Sequence, residues 1–214
     1  MIFRDNKGTS YNKIAGQSVR RLGSLSDCVF SVAMTLLVLD LHVPVNAITH
    51  SEGDIWRVLV ALVPKIGMFA MSFLTLGIYW TGQQTQLNHF RRGDRNLTWI
   101  HITFLFAVSI MPFSTKFLAE FITYRTAFVV YWVNLFALST LLYVSWTYAT
   151  KHGLLKANVP EGLDAAIKKR VMFALVLLAF GVLLSVINTY WSLGFILLIQ
   201  LNYAIAPRFS HWLG

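Results

Sequence analysis

The stretch Arg20-Arg21-Leu-Gly-Ser-Leu25-Ser26-Asp27-Cys28-Val-Phe-Ser-Val32-Ala-Met-Thr35-Leu36-Leu-Val-Leu39-Asp40 decides how this chain is read. From Leu22 to Leu41 it is long enough to cross a bilayer as one helix, which takes about 20 mostly apolar residues. Inside that run stands an acid, Asp27. An ionised acid at a helix centre costs about 2.5–3.5 kcal/mol even on lenient insertion scales, so such a residue faces protein or water and does a job.

Composition extends this reading to the whole chain. Of 214 residues 56% are hydrophobic and 13% charged, where a soluble domain carries about 25% charged residues. The apolar runs are long and unbroken, unlike the short alternating strands of a membrane barrel, so the expected fold is an all-α polytopic membrane domain. The lone Cys28 makes no internal disulfide, and mid-helix it reads as a small packing residue. A net charge of +9 invites a nucleic-acid partner, but fourteen of the eighteen Lys and Arg fall in alternate inter-span segments. They are Arg4, Lys7, Lys13, Arg20 and Arg21; Arg91, Arg92 and Arg95; Lys151, Lys156, Lys168, Lys169 and Arg170; and Arg208. That is the positive-inside pattern, which orients helices and needs no nucleic acid.

In chain order, residues 1–17 read as a loose cytoplasmic arm and 18–214 as a six-helix transmembrane domain with both termini cytoplasmic. A signal peptide is the lesser reading of the first run, which is long for an h-region and contains Asp27. The second span runs from about Ile55 to Tyr79, with Pro64 near its start and Tyr79-Trp80 as an interfacial pair. Its polar tail, Gln83 to His89, continues the helix to a basic turn at Arg91–Arg95. The third span covers about Leu97 to Leu118 with Pro112 as a kink, and the fourth Phe128 to Thr147. An inner loop from Lys151 to Lys169 precedes a fifth span, Val171 to Ile187, and a sixth, Trp191 to Ile205, ended by Pro207.

At about 100° per residue, Cys28, Val32, Thr35 and Leu39 fall in one narrow stripe, with Leu36 beside it and Ser24 and His42 at its ends. Two readings fit: a helix-packing seam, or one wall of a pore. Asp27 sits about 100° off the stripe, towards neighbouring helices. Arg21 is six residues earlier, a spacing that prevents pairing with Asp27 along one face. Candidate partners at the same inner depth are Gln83, Gln84, Trp99 and His101, while Ser26 can also bond back to its own helix.

Arg21-Leu-Gly-Ser-Leu25-Ser26-Asp27 resembles the Arg-x-x-x-Phe-Ser-Asp signature of the lysosomal potassium channel family, transmembrane protein 175 and its bacterial relatives. The residues that follow, Val29 to Leu41, are similar to that family's first helix, and Tyr79-Trp80 and Met111-Pro112-Phe113 match further positions. Leu25 stands for the family's Phe, and Gln83 and His101 stand where it has His and Asn, which implies a re-wired polar network. The resemblance implies a homotetrameric, potassium-preferring cation channel in a bacterial cell membrane, with four copies of the first helix around one pore. It implies constriction rings of Val32, Leu36 and Leu39, and a Thr35 hydroxyl ring past which potassium ions move. Arg21, Ser26 and Asp27 become the helix-packing signature, with Gln83, Trp99 and His101 as partners. The implied partners are a second copy of the chain, membrane lipids and monovalent cations, with no cofactor.

Other function classes remain open on the residues alone. A small-molecule carrier, such as the substrate-binding subunit of a vitamin transporter, asks for a polar pocket within one chain. An intramembrane enzyme asks for paired ligands or bases on one helix face, but the six histidines are scattered with no His-x-x-x-His pair.

Overall fold

The computed structural model describes residues 16–39, 41, 51–187 and 194. The arm up to residue 15, Asp40, His42, the outer loop to residue 50, the sixth span and the C-terminus lie outside the described residues. Five helices follow in order: α1 Val19–Leu39, α2 Glu52–His89, α3 Arg95–Glu120, α4 Arg125–Lys151 and α5 Leu163–Ile187. The first four are long and apolar enough to cross a membrane.

Local chemistry sets the helix ends. Ser51 caps α2, its Oγ accepting from the Asp54 amide at 3.3 Å, with Glu52 and Asp54 placing negative charge in the first turn. Asp94 caps α3 by accepting from the Leu97 amide at 2.7 Å. Pro64 and Pro112 lie inside α2 and α3, a placement that bilayer helices tolerate when neighbours satisfy the freed backbone groups. Beside Pro112, the Asn134 amide of α4, turned to satisfy both its atoms, donates to the Ala107 carbonyl at 3.0 Å and accepts from Ser114 at 3.1 Å.

Helix α3 sits in the middle, packed against α1, α2 and α4, and α5 leans on α4. The main core draws on four helices: Phe30 and Leu37, Leu76, Phe104 and Val108, and Leu135 and Leu138. Polar bonds stitch the same helices. Thr115 donates to Ser72 at 2.8 Å, Ser72 and Tyr131 share a bond at 3.2 Å, and Gln86 donates to the Leu142 carbonyl at 3.0 Å. The Tyr79 hydroxyl meets Ser139 and the Leu135 carbonyl. Tyr79 is thus a tie between α2 and α4 and not simply a member of an aromatic belt.

At the end of the bundle where α1 begins, the turn between α2 and α3 is gripped from two sides. On one side the Arg91 amide donates to the Leu154 carbonyl at 2.8 Å and the Lys156 amide to the His89 carbonyl at 2.9 Å. This pairs Phe90 with Leu155 in an antiparallel bridge, over a small core in which Phe90 stacks on Trp146. On the other side the Gly93 amide donates to the Gln17 carbonyl at 3.0 Å and Thr98 Oγ1 to the Gly16 carbonyl at 3.1 Å. The expected loose arm is therefore already tied at Gly16 and Gln17.

The fifth helix begins at Leu163, well before the Val171 expected from hydropathy. Its first turns are polar but not solvated at random. Asp164 accepts from Trp146 Nε1 at 2.9 Å and from Lys168 at 2.8 Å. The bond from Lys168 holds the Asp164 carboxyl below the usual carboxylate range. That contribution is complete above the ordinary carboxylate pKa and is lost as pH falls through the depressed one.

A Cβ added at Gly93 would stand 2.5 Å from the Gly16 carbonyl oxygen, a backbone atom, whereas one added at Gly67 meets nothing within 4 Å. Gly93→Ala should therefore cost about 1–3 kcal/mol of stability, read as a lower unfolding temperature in detergent, while Gly67→Ala leaves it unchanged or slightly raised. Equal melting of the two variants removes the contact between α1's lead and the turn from the account.

Candidate functional site on the first helix

Helix α1 has two unlike faces. Leu22, Ser26, Phe30, Ala33 and Leu37, spaced four, four, four less one and four, are buried against α2 and α3. The other side holds Ser24, Cys28, Ser31, Val32, Thr35, Leu36 and Leu39, all exposed, with Val32 at 57%, Leu36 at 42% and Leu39 at 70%. The stripe predicted to line a pore is thus the side of α1 that no helix covers among the described residues. Thr35 Oγ1 gives its proton to its own helix, with the Ser31 and Val32 carbonyls at 3.1 and 2.9 Å. What the hydroxyl presents outward is oxygen lone pairs.

Two consecutive residues hold the buried side. Ser26 Oγ donates back to the Leu22 carbonyl at 2.9 Å and accepts from Gln83 Nε2 at 2.9 Å. Gln83 Nε2 also lies 3.3 Å from His101 Nδ1, and His101 Nε2 lies 3.0 Å from Ser145 Oγ. With the Gln83 nitrogen as donor, Nδ1 accepts and Nε2 carries the proton given to Ser145. Ser26, Gln83, His101 and Ser145 are all buried, so one polar chain crosses α1, α2, α3 and α4.

Asp27 turns to a different pair. Its Oδ1 accepts from Gln84 Nε2 at 2.7 Å and from Trp80 Nε1 at 2.9 Å. Two neutral donors stabilise the carboxylate without burying a counter-ion, which satisfies the demand that a charge in a span places on its surroundings. Gln84 was among the expected partners; Trp80, read as an interfacial residue, was not. The signal was present: Trp80 precedes Gln84 by four residues, one helical turn, so both side chains share a face.

Gln83 and His101 join the signature through Ser26. Trp99 does not: it is exposed on α3, and no side-chain hydrogen bond links it to Arg21, Ser26 or Asp27 among the described residues. Arg21 is also exposed; its backbone amide donates to Ser18 Oγ, and its side chain has no hydrogen-bond partner among the described residues. Among the described residues no group of three or more His, Cys, Asp or Glu is placed to hold a metal ion.

Gln83→Leu strips the donor shared by Ser26 and His101 and should cost about 1–3 kcal/mol. Combined with Ser26→Ala, the loss should fall short of the sum by about 0.5 kcal/mol or more, as for residues in one network. Strictly additive losses in detergent denaturation would separate the two residues.

Known proteins match this arrangement. A family model, the endosomal/lysosomal potassium channel TMEM175, matches residues 21–112, beginning at the signature arginine. A potassium channel of Streptomyces collinus is 29% identical over 194 residues, 87% of this chain and 84% of its own length. A potassium channel of Chamaesiphon minutus is also 29% identical, covering 86% of this chain and 93% of its own. The crystal structure of a lysosomal potassium-selective channel TMEM175 homolog from Chamaesiphon minutus superposes with a TM-score of 0.76 at 26% identity, over 89% of this chain and 98% of that one. The signature on α1 and the fold along most of the chain are thus similar to those of the TMEM175 channels.

Proposed function

We propose that this protein is a potassium-preferring cation channel of the cell membrane, a homotetramer whose four α1 helices enclose the pore. The observation that carries the reading is the composition of α1's unpartnered side. A face meant for lipid would be apolar throughout, yet Ser24, Cys28, Ser31 and Thr35 recur along this one. In a span, polar groups turn to protein or water. A ring of four copies gives them both, and cyclic symmetry opens an axial path at the expense of one helix per chain. Six spans with both termini inside, as the charge pattern asks, complete the proposed subunit.

In such a ring Val32, Leu36 and Leu39 form apolar collars, and a collar too narrow to stay wet closes the path by dewetting. Thr35 stands between them with its proton committed to the helix. Four outward lone pairs there replace part of the water that a potassium ion sheds, and sodium, which holds its water more tightly, gains less. The permeant ion is the substrate, so the mechanism calls for neither cofactor nor catalytic group. Ser26 and Asp27 hold the wall in register from behind.

A carrier needs a polar pocket within one chain. A cavity among the described residues is an open notch of about 250 Å³ at the outer end, lined by Phe117, Phe121, Tyr124, Thr126 and Ala127. It is mostly aromatic and lies far along the chain from the α1 signature.

Val32→Asn or Leu39→Asn should wet the constriction and raise basal potassium flux in liposomes on the order of tenfold, a barrier change of about 1.4 kcal/mol; unchanged flux in both places the constriction elsewhere. Thr35→Val should move the bi-ionic reversal potential towards equal potassium and sodium permeability, and an unaltered potential ends its selectivity role. Asp27→Ala should shift the detergent-solubilised protein from tetramer to smaller species, measured by size exclusion with light scattering. A normal tetramer with normal flux leaves Asp27 without this task.

A further inference from the structure

The inner turns gather positive charge that the fold does not use. Arg91 and Arg92 lie on the turn after α2, and Lys156 on the loop after α4. Far apart in sequence, they are brought side by side by the paired backbone bonds from Arg91 to Leu154 and from Lys156 to His89. Lys151, in the last turn of α4, lies just before this loop. All four side chains are exposed, and none has a hydrogen-bond or ion-pair partner among the described residues.

Two acids at this end of the bundle are already engaged elsewhere. Asp94 is occupied by the Leu97 amide and the Tyr148 hydroxyl, the latter at 2.8 Å. Asp164 is occupied by Trp146, Lys168 and Thr150. Neither of the two is bonded to the patch. Its depth is set by its neighbours: α1 starts at Val19, α3 at Arg95, and α4 stops at Lys151. The apolar spans end there, so the patch lies about one turn beyond the hydrocarbon, level with lipid headgroups.

We propose that Arg91, Arg92 and Lys156 form a binding site for the phosphate of an anionic phospholipid on the inner leaflet. Guanidinium groups match phosphate oxygens two at a time, and the lysine adds a point charge. The bridge between residues 90 and 155 fixes the backbone positions from which the donors extend. The same turn holds the lead of α1 through Gly93, and the first turn of α3 does so through Thr98, so an occupied site braces the start of that helix. This inference rests on the inner-end geometry and does not depend on ion conduction.

The test uses the full-length protein in a neutral detergent, with thermal unfolding and native mass spectrometry as readouts. Dioctanoyl phosphatidylglycerol should raise the melting temperature and appear as bound adducts, while dioctanoyl phosphatidylcholine and inorganic phosphate at equal concentration should do neither. The triple variant Arg91→Gln/Arg92→Gln/Lys156→Gln should lose the shift and at least tenfold in apparent affinity, with its lipid-free melting temperature unchanged. A control triple that removes as much charge elsewhere, Arg20→Gln/Arg57→Gln/Lys169→Gln, should keep both. Equal binding by the patch variant, or equal loss in the control, overturns the site in favour of diffuse charge attraction. A shift reproduced by inorganic phosphate alone overturns the lipid assignment. Should the patch variant melt lower without lipid, the single variants Arg92→Gln and Lys156→Gln read the affinity instead, and unchanged affinity in both overturns the proposal.

Discussion

Lipid gives helices no hydrophobic reason to stay together, so the contact that this architecture depends on is a polar one: Ser26 and Asp27 of α1 engaged by α2. Helix association in a bilayer rests on close packing and interhelical hydrogen bonds. Here both operate at the same level. Ser26 takes a donor from Gln83, and Asp27 takes donors from Gln84 and Trp80. Neighbouring residues on a helix point about 100° apart, so a consecutive pair on α1 meeting a consecutive pair on α2 fixes rotation as well as distance. A slip of one residue would leave a carboxylate in the span without its two donors.

Fixing that rotation decides what α1 shows to the outside. With Ser26 turned inward, Phe30, Ala33 and Leu37 follow it into the core, and Val32, Thr35, Leu36 and Leu39 face away. The signature residues and the proposed pore residues are thus two consequences of one helix orientation. The grip continues below the signature, where Gly16 and Gln17 are bonded to the α2–α3 turn. That turn in turn holds the loop after α4 through the Phe90–Leu155 bridge. The N-terminal end of α1 is accordingly tied to the turn after α2, and through it to the loop after α4, as well as to the helices beside it.

Hydropathy and charge made most of the helices legible before any coordinates, because a span announces itself by an apolar run and basic flanks. Tertiary polar contacts were less so. Trp80 looked like a boundary aromatic because its indole suits a headgroup as well as a carboxylate, and only the position of Gln84 one turn later hinted at Asp27. Trp99 shared the right depth but the wrong face, since depth follows from counting and face from packing. The early start of α5 was hidden for another reason: its first turns are held by Asp164, Trp146 and Lys168, and polar helix gives no hydropathy signal. The bridge between residues 90 and 155 is non-local and too short for any periodicity to show.

The distribution of bonds along α1 bears on how its proposed role works. Among the described residues, its side-chain hydrogen bonds to other helices come from Ser26 and Asp27, whereas beyond Val29 it meets its neighbours through Phe30, Ala33, Met34 and Leu37. Hydrogen bonds fail abruptly when donor and acceptor part, because the buried group left behind has no substitute. Apolar contacts fall off gradually and can be exchanged for others of similar shape. A helix pinned in its N-terminal half and packed by dispersion beyond it keeps its register where the polar ties are and yields where they are not. Val32, Thr35, Leu36 and Leu39 lie on that more compliant portion. A narrow apolar ring changes from dry to wet with a small change in radius, so the compliance needed is modest and requires no loss of the ties at Ser26 and Asp27.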